Sequence, residues 1–301
     1  MSRQLTAKIH RLKQERNAVI LAHNYQAPEV QDVADFVGDS FGLSRQAAAT
    51  PAEVIVFCGV HFMAESAYIL APHKTVLLPE KHAGCPLAET ITAEDLKRKK
   101  RDCPDAAVVC YVNSSAAVKA ESDICCTSSN AVQVVNSLEK NRILFVPDGN
   151  LAHWVAGKTD KAIIPWDGHC ITHQRVTKED VERIRETLPR AVIAVHPECR
   201  PEVVERADFV GSTSAILRFA RETRNTELVI GTEMGIIHRM TKENPDKKFY
   251  LLSQGLVCPN MKMTTLEKVA LALENMEPRI TVPDDVRRQA LTSLKKMLEV
   301  T

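Results

Sequence analysis

Short runs of aliphatic and β-branched residues alternate along the chain with stretches whose apolar positions recur every three to four residues. The first pattern predicts buried strands and the second amphipathic helices. Their strict alternation predicts βαβ units and parallel sheet. The strand-like runs fall into matching sets. AVILAHN (18–24), AVVCYVN (107–113) and AVIAVHP (191–197) share one pattern. Each leads, through a short helical stretch, to DFVGDS (35–40), DICCTS (123–128) or DFVGST (208–213). VIVFCG (54–59), ILFVPDG (143–149) and LVIGTE (228–233) come next, and TVLLPE (75–80), AIIPW (162–166) and FYLLS (249–253) close the sets. Asp35, Asp123 and Asp208 stand 88 and 85 residues apart. Four elements repeated three times in one order read as three small α/β domains of about 85 residues each. The expected boundaries are 1–88 with a polar N-terminal helix, 89–172, and 173–301. The last domain carries two further helices, TLEKVALALENM and PDDVRRQALTSLKKMLEV, expected to pack back on the body. The second of these opens on Pro283 with Asp284 and Asp285 in its first turn.

Composition narrows the class. A net charge of +1 argues against a nucleic-acid surface, and the LKRKKRD run (96–102) reads as a solvated helix end. The polar N-terminal segment has no apolar signal region, and no run approaches membrane-spanning length, so a cytoplasmic protein without membrane attachment is expected. Nine cysteines, an odd number with no C-x-x-C, do not form a disulfide framework. Any metal site must therefore be assembled from distant segments.

The repeat singles out three of these cysteines. Cys85, Cys170 and Cys258 each follow the fourth strand of their set, in the loops HAGCP, DGHCI and LVCPN, and stand 85 and 88 residues apart. Cys58, Cys110, Cys125 and Cys126 fall on strands or strand ends and read as small buried hydrophobes; Cys103 and Cys199 lie in loops. Ligands of open α/β sheets gather at the carboxyl ends of strands. If the domains pack around a pseudo-threefold axis with those ends inward, the three thiolates converge. Three thiolates suit an iron–sulfur cluster with one open iron, or a three-cysteine zinc site with an open position. Either would polarise a substrate oxygen and ease its loss.

Other side chains share the register. Strand-one ends carry His23 and Tyr25, Tyr111 and Asn113, and His196 and Glu198. Strand-two ends carry Ser40, Ser128 and Thr213, each read as an N-cap of the following helix. Three helix N-termini aimed at one centre make a site for a small ligand with several negative charges. Glu198 beside His196 is a candidate general base. The two tyrosines are candidates for donating to an oxyanion or relaying a proton. His173, three residues past Cys170, sits beside the metal, faces the substrate, or is a plain loop residue.

The set AHNYQ, GDSFGLS, AGCPLA, YVNSSA, CCTSSNA, VPDGNLAHW, WDGHC, HPEC, GSTSAI, GTEMGIIHR and CPNMKMTTLE closely resembles the quinolinate synthase family of de novo NAD biosynthesis, from about residue 17 to 270. The resemblance implies three homologous αβα domains with four-stranded parallel sheets around a pseudo-threefold axis. It implies one [4Fe–4S] cluster on Cys85, Cys170 and Cys258, with one iron left open as a Lewis acid in dehydration. The implied reaction joins iminosuccinate to dihydroxyacetone phosphate, releasing phosphate and water, and the implied functional partner is the L-aspartate-oxidising enzyme of the same pathway. Substrate contacts carry over to His23, Ser40, Tyr111, Asn113, Ser128, His173, His196, Glu198, Ser212 and Thr213, and catalytic roles to Tyr25, Glu198, His23 and His196. Longer members carry C-x-x-C-x-x-C at the last ligand; here Cys258, Met261 and Thr264 stand there, which removes a local disulfide. A zinc lyase or hydrolase on the same thiolates, or an electron carrier that needs no anion site, are the competing readings.

Overall fold

The computed structural model describes residues 2–300. A helix–strand alternation of four pairs occurs three times. The first unit runs α1 (Ser2–Glu15), β1 (Ala18–His23), α2 (Pro28–Val33), β2 (Phe36–Gly38), α3 (Ser40–Ala49), β3 (Val54–Cys58), α4 (His61–Leu70) and β4 (Thr75–Leu77). The second runs α5 (Ala93–Asp102), β5 (Ala107–Tyr111), α6 (Ala116–Ala120), β6 (Ile124–Cys126), α7 (Ala131–Ser137), β7 (Arg142–Val146), α8 (Gly149–Ala156) and β8 (Ala162–Pro165). The third runs α9 (Lys178–Thr187), β9 (Val192–Val195), α10 (Pro201–Val204), β10 (Phe209–Val210), α11 (Thr213–Glu222), β11 (Glu227–Gly231), α12 (Ile236–Glu243) and β12 (Lys248–Leu251). Two helices follow, α13 (Leu266–Asn275) and α14 (Asp284–Glu299).

Each unit builds one four-stranded, all-parallel sheet in the order second, first, third, fourth strand: β2-β1-β3-β4, β6-β5-β7-β8 and β10-β9-β11-β12. Every position of β3 and β5 is buried, as expected for parallel strands covered on both faces. The repeated aspartates have a structural cause. Asp35 Oδ2 accepts Ile20 N–H at 2.8 Å, Asp123 Oδ2 accepts Val108 N–H at 2.7 Å, and Asp208 Oδ2 accepts Ile193 N–H at 2.8 Å. In each unit the aspartate's own N–H also bonds the carbonyl of that first-strand residue. The repeat therefore marks a latch that sets the register of the second strand on the first.

Each ligand-candidate loop ends in a one-turn 3₁₀ segment, at Ala88–Thr90, His173–Arg175 and Met261–Met263. A threonine cap then opens the next helix: Thr92 for α5, Thr177 for α9 and Thr265 for α13, each accepting the N3 N–H. Thus α13 holds the register of α5 and α9, but no fourth sheet follows it. Instead it packs on α1 and β3 of the first unit. Leu78 N–H donates to Pro278 O at 3.1 Å and Ile280 N–H to Val76 O at 2.9 Å, covering the open edge beside β4. Pro283 is the N-cap of α14 rather than its first helical residue.

The second tail helix, α14, lies against α6, β6 and α4, bridging the second and first units. Its Ala290, Leu294 and Met297 are fully buried. Leu294→Ala should lower unfolding stability by about 2–5 kcal/mol through the cavity it leaves, read as a shift of the urea midpoint. Among the described residues no helix is long and apolar enough to cross a membrane.

Candidate active site

Residues that follow strands of all three sheets line one cavity of about 760 Å³, counted to its open mouth. A carboxyl-end position beside the central first strand is where an open parallel sheet leaves backbone groups and loops free for a ligand. Cys85, Cys170 and Cys258 all line it, with His23, Tyr25, Ser40, Tyr111, Asn113, Ser128, His173, His196, Glu198 and Thr213. Ser212 is not brought to the cavity: it caps α11, its hydroxyl accepting Ala215 N–H at 3.2 Å.

Capping differs from expectation. The caps are Asp39 for α3, Asn130 for α7 and Ser212 for α11. Ser40 and Thr213 are the first helical residues, and Ser128 precedes its helix by a turn in which Thr127 N–H bonds Asn130 Oδ1 at 2.9 Å. So two helix N-termini, not three, stand directly behind the hydroxyls, and the three hydroxyls need not serve as caps.

The two register-matched histidines are oriented alike. His23 Nδ1 accepts Tyr25 N–H at 3.2 Å, and His196 Nδ1 accepts Glu198 N–H at 3.3 Å. With Nδ1 as acceptor, the proton of the neutral ring sits on Nε2, and that of His196 meets Ser128 Oγ at 3.1 Å. Burial keeps both rings neutral, lowering His23 to about 4 and His196 to about 3. They offer N–H donors rather than charge.

His173 links the catalytic candidates. Its Nδ1 lies 2.7 Å from Glu198 Oε2 and 3.2 Å from Cys170 Sγ, and its Nε2 lies 2.9 Å from Thr232 Oγ1. Thr232 Oγ1 is 2.6 Å from the Tyr25 phenol, which reaches Thr213 Oγ1 at 3.2 Å. An ionised carboxylate only accepts, so His173 Nδ1–H donates to Glu198; a neutral ring then takes the Thr232 hydroxyl at Nε2, and Thr232 takes the phenol. Burial would raise the Glu198 carboxyl, but the donating His173 ring and the Tyr111 phenol outweigh it and hold the group below the usual carboxylate range. The 3.6 Å between His196 Nδ1 and Glu198 Oε2 is too long for a hydrogen bond. Burial and the Glu198 charge push both phenols, Tyr25 and Tyr111, well up, so they remain proton donors at neutral pH. Glu198 Oε1 and Asn113 Oδ1 are buried without a protein partner.

All nine cysteines are free, and the six outside the site are buried. Of the three thiols in the cavity, burial raises Cys85 to about 12, Cys170 well above its ordinary value, and Cys258 upward. Backbone N–H groups from the turn just beyond face each sulfur: Leu87 and Ala88 on Cys85, His173 on Cys170, Asn260 and Met261 on Cys258. Such N–H groups are what stabilises cluster-bound thiolates. Among the described residues, the only three His, Cys, Asp or Glu donors all within 4.8 Å of one another are those of Cys170, His173 and Glu198. At least one pair of the three sulfurs is therefore farther apart than that. Tetrahedral zinc with Zn–S bonds of about 2.3 Å would draw them to about 3.8 Å. The three thiols suit a metal centre, and they stand wider apart than one zinc ion would hold them. In the close triad, His173 and Glu198 already satisfy each other, so it reads as a hydrogen-bond network.

Five residues here were not singled out by the sequence reading: Asp39, Thr232, Glu233, Asp148 and Lys262. Buried Glu233 accepts N–H groups of Cys258 at 3.1 Å and Gly235 at 2.7 Å and pairs with Lys262 at 2.9 Å. Lys262 Nζ also donates to Tyr25 O at 2.5 Å, tying the Cys258 loop to the Tyr25 loop of the first unit. Asp148 caps α8 through Leu151 N–H at 2.7 Å. Both acids stand two residues past a third strand, where the first unit has Val60. Gly235 lies so close to Tyr25 that an added Cβ would stand 2.7 Å from its carbonyl carbon.

A family model described as quinolinate synthetase A protein matches residues 7–299. A quinolinate synthase of Clostridium kluyveri is 59% identical over 297 residues, 98% of each chain. One of Alkaliphilus metalliredigens is 57% identical over 97% of each chain. One of Methanosarcina barkeri is 56% identical over 99% of this chain and 98% of its own.

Proposed function

Because the chain belongs to the quinolinate synthetase A protein family, we propose that it is a quinolinate synthase of NAD biosynthesis, joining iminosuccinate to dihydroxyacetone phosphate with release of phosphate and water. The observation that carries this reading is the meeting of one cysteine from each unit with a buried acid–histidine pair in one cavity. A [4Fe–4S] cluster on Cys85, Cys170 and Cys258 would supply a Lewis-acidic iron with an open position for the dehydration chemistry.

The chain's own groups supply the rest. Both substrates are anions, and the hydroxyls of Ser40, Ser128 and Thr213 with the N–H groups opening α3 and α11 form their cradle. The Nε2–H of His23, the amide of Asn113 and the Ser128 hydroxyl, itself held by His196 Nε2–H, orient the carboxylates by hydrogen bonds that add no charge. Glu198, ionised and with Oε1 left without a hydrogen-bond partner, takes protons from the condensing carbon and nitrogen. Tyr25, its phenol oriented by Thr232 and through it by His173, gives a proton to the leaving oxygen and regains one from solvent as products leave. Burial of these groups keeps bulk water out of a reaction that itself expels water. The proposed domains, 1–88, 89–172 and 173–301, end the first two just past a cysteine ligand. A cytoplasmic setting and a supply of iminosuccinate from an L-aspartate-oxidising enzyme complete the proposal.

Protein purified without oxygen should be brown, carry about four iron and four sulfide per chain, and make quinolinate and phosphate from the two substrates. A colourless protein with stoichiometric zinc would overturn the cofactor, and no quinolinate from the iron-loaded protein would overturn the reaction.

A further inference from the structure

A carboxylate belongs badly in a cradle for anions, yet Asp39 lines the cavity and is nine-tenths buried. Its hydrogen bonds explain how it is tolerated. Oδ1 accepts Gly42 N–H at 2.8 Å at the head of α3. Oδ2 accepts the Ser129 hydroxyl of the second unit at 2.8 Å and the Ser214 hydroxyl of the third at 2.6 Å. One carboxylate thus joins all three units, and its acceptor sites face protein donors rather than substrate.

The register shows that this is an asymmetric device in a threefold frame. The positions matching Asp39 are Thr127 and Ser212; those matching Ser129 and Ser214 hold Phe41 in the first unit. There is one acid and there are two hydroxyl donors, and the three meet only when the second-strand ends of all units stand in the right mutual orientation. Ser129 and Ser214 directly follow Ser128 and Thr213 in the chain, and Asp39 directly precedes Ser40. Fixing the first pair fixes the backbone that carries the cradle hydroxyls.

We propose that Asp39 is a positioning residue that keys the three units together through Ser129 and Ser214, and so sets the hydroxyl cradle and the affinity for the anionic substrate. This rests on the quinolinate synthase reading. Asp39 touches no reacting atom; its effect passes through its neighbours.

The test uses the iron-loaded enzyme. Asp39→Asn keeps an acceptor for the helix cap, but its amide donates where two hydroxyl protons must be accepted. It should raise KM for dihydroxyacetone phosphate and the inhibition constant of inorganic phosphate about tenfold, while kcat falls less than about threefold and iron content is unchanged. The double variant Ser129→Ala/Ser214→Ala should show the same rise, and adding Asp39→Asn to it should raise KM less than about twofold further. Unchanged KM and phosphate inhibition in Asp39→Asn, or losses that simply multiply, would overturn the proposal. Absence of quinolinate from wild-type enzyme would instead overturn the reading beneath it.

Discussion

Cys170→Ala protein should purify without its full complement of iron and sulfide and make quinolinate about a thousandfold more slowly, or not at all. The thiol is one of three that share the cavity, and neither His173 nor Glu198 can replace it, because each is held by the other at 2.7 Å. Loss of stability in the metal-free state should be small, since the removed sulfur is only half-buried, at the cavity wall beside the His173 ring and at the edge of the hydrophobic core. Cys125→Ala is the control. Cys125 is fully buried on β6 outside the cavity, so its loss should lower stability by about 1 kcal/mol and leave iron content intact. Equal iron in Cys170→Ala and wild type would remove Cys170 from the ligand set.

Glu198→Gln should lower kcat by about 10²–10⁴-fold with the cluster retained. The amide fills the same space, so the change is chemical. The carboxylate accepts from His173 at 2.7 Å and leaves Oε1 without a hydrogen-bond partner; the amide offers one acceptor and an N–H in place of the other. His173 then loses the partner that fixes its tautomer, and the path from Tyr25 through Thr232 loses its end. Steady-state turnover together with iron and sulfide analysis separates this from cofactor loss. Undiminished turnover in an iron-replete variant would exclude Glu198 from proton transfer.

Much of this site was legible because it is repeated. The three cysteines stand in register, and so do the paired histidines, which perform the same task, each accepting the N–H two residues on. The matched aspartates pointed to homologous strand pairs before their latch role was visible. What the register hid is whatever occurs once. Thr232 matches Pro147 and Gly59, and Asp39 matches Thr127 and Ser212, so a search for similarity passes over both. The capping expectation failed for a related reason. A hydroxyl at a strand end caps only if the helix starts at the next residue, and α7 starts later because the Asn130 side chain closes the turn first. Glu233 and Lys262 matter through a contact between the first and third units, which no local pattern encodes.

The placement of α13 has a consequence for how such a chain is ordered. It leaves the third cysteine loop as α5 and α9 leave the first and second, and it comes to rest on the first sheet. The backbone thus traces a closed circuit of three sectors, each handing over to the next directly after its thiol. In a circuit, which sector is translated first is a convention of where the gene is opened. Rotating the reading order would carry all three thiols to the same meeting point; what the centre demands is the cyclic sequence of sectors, not their rank.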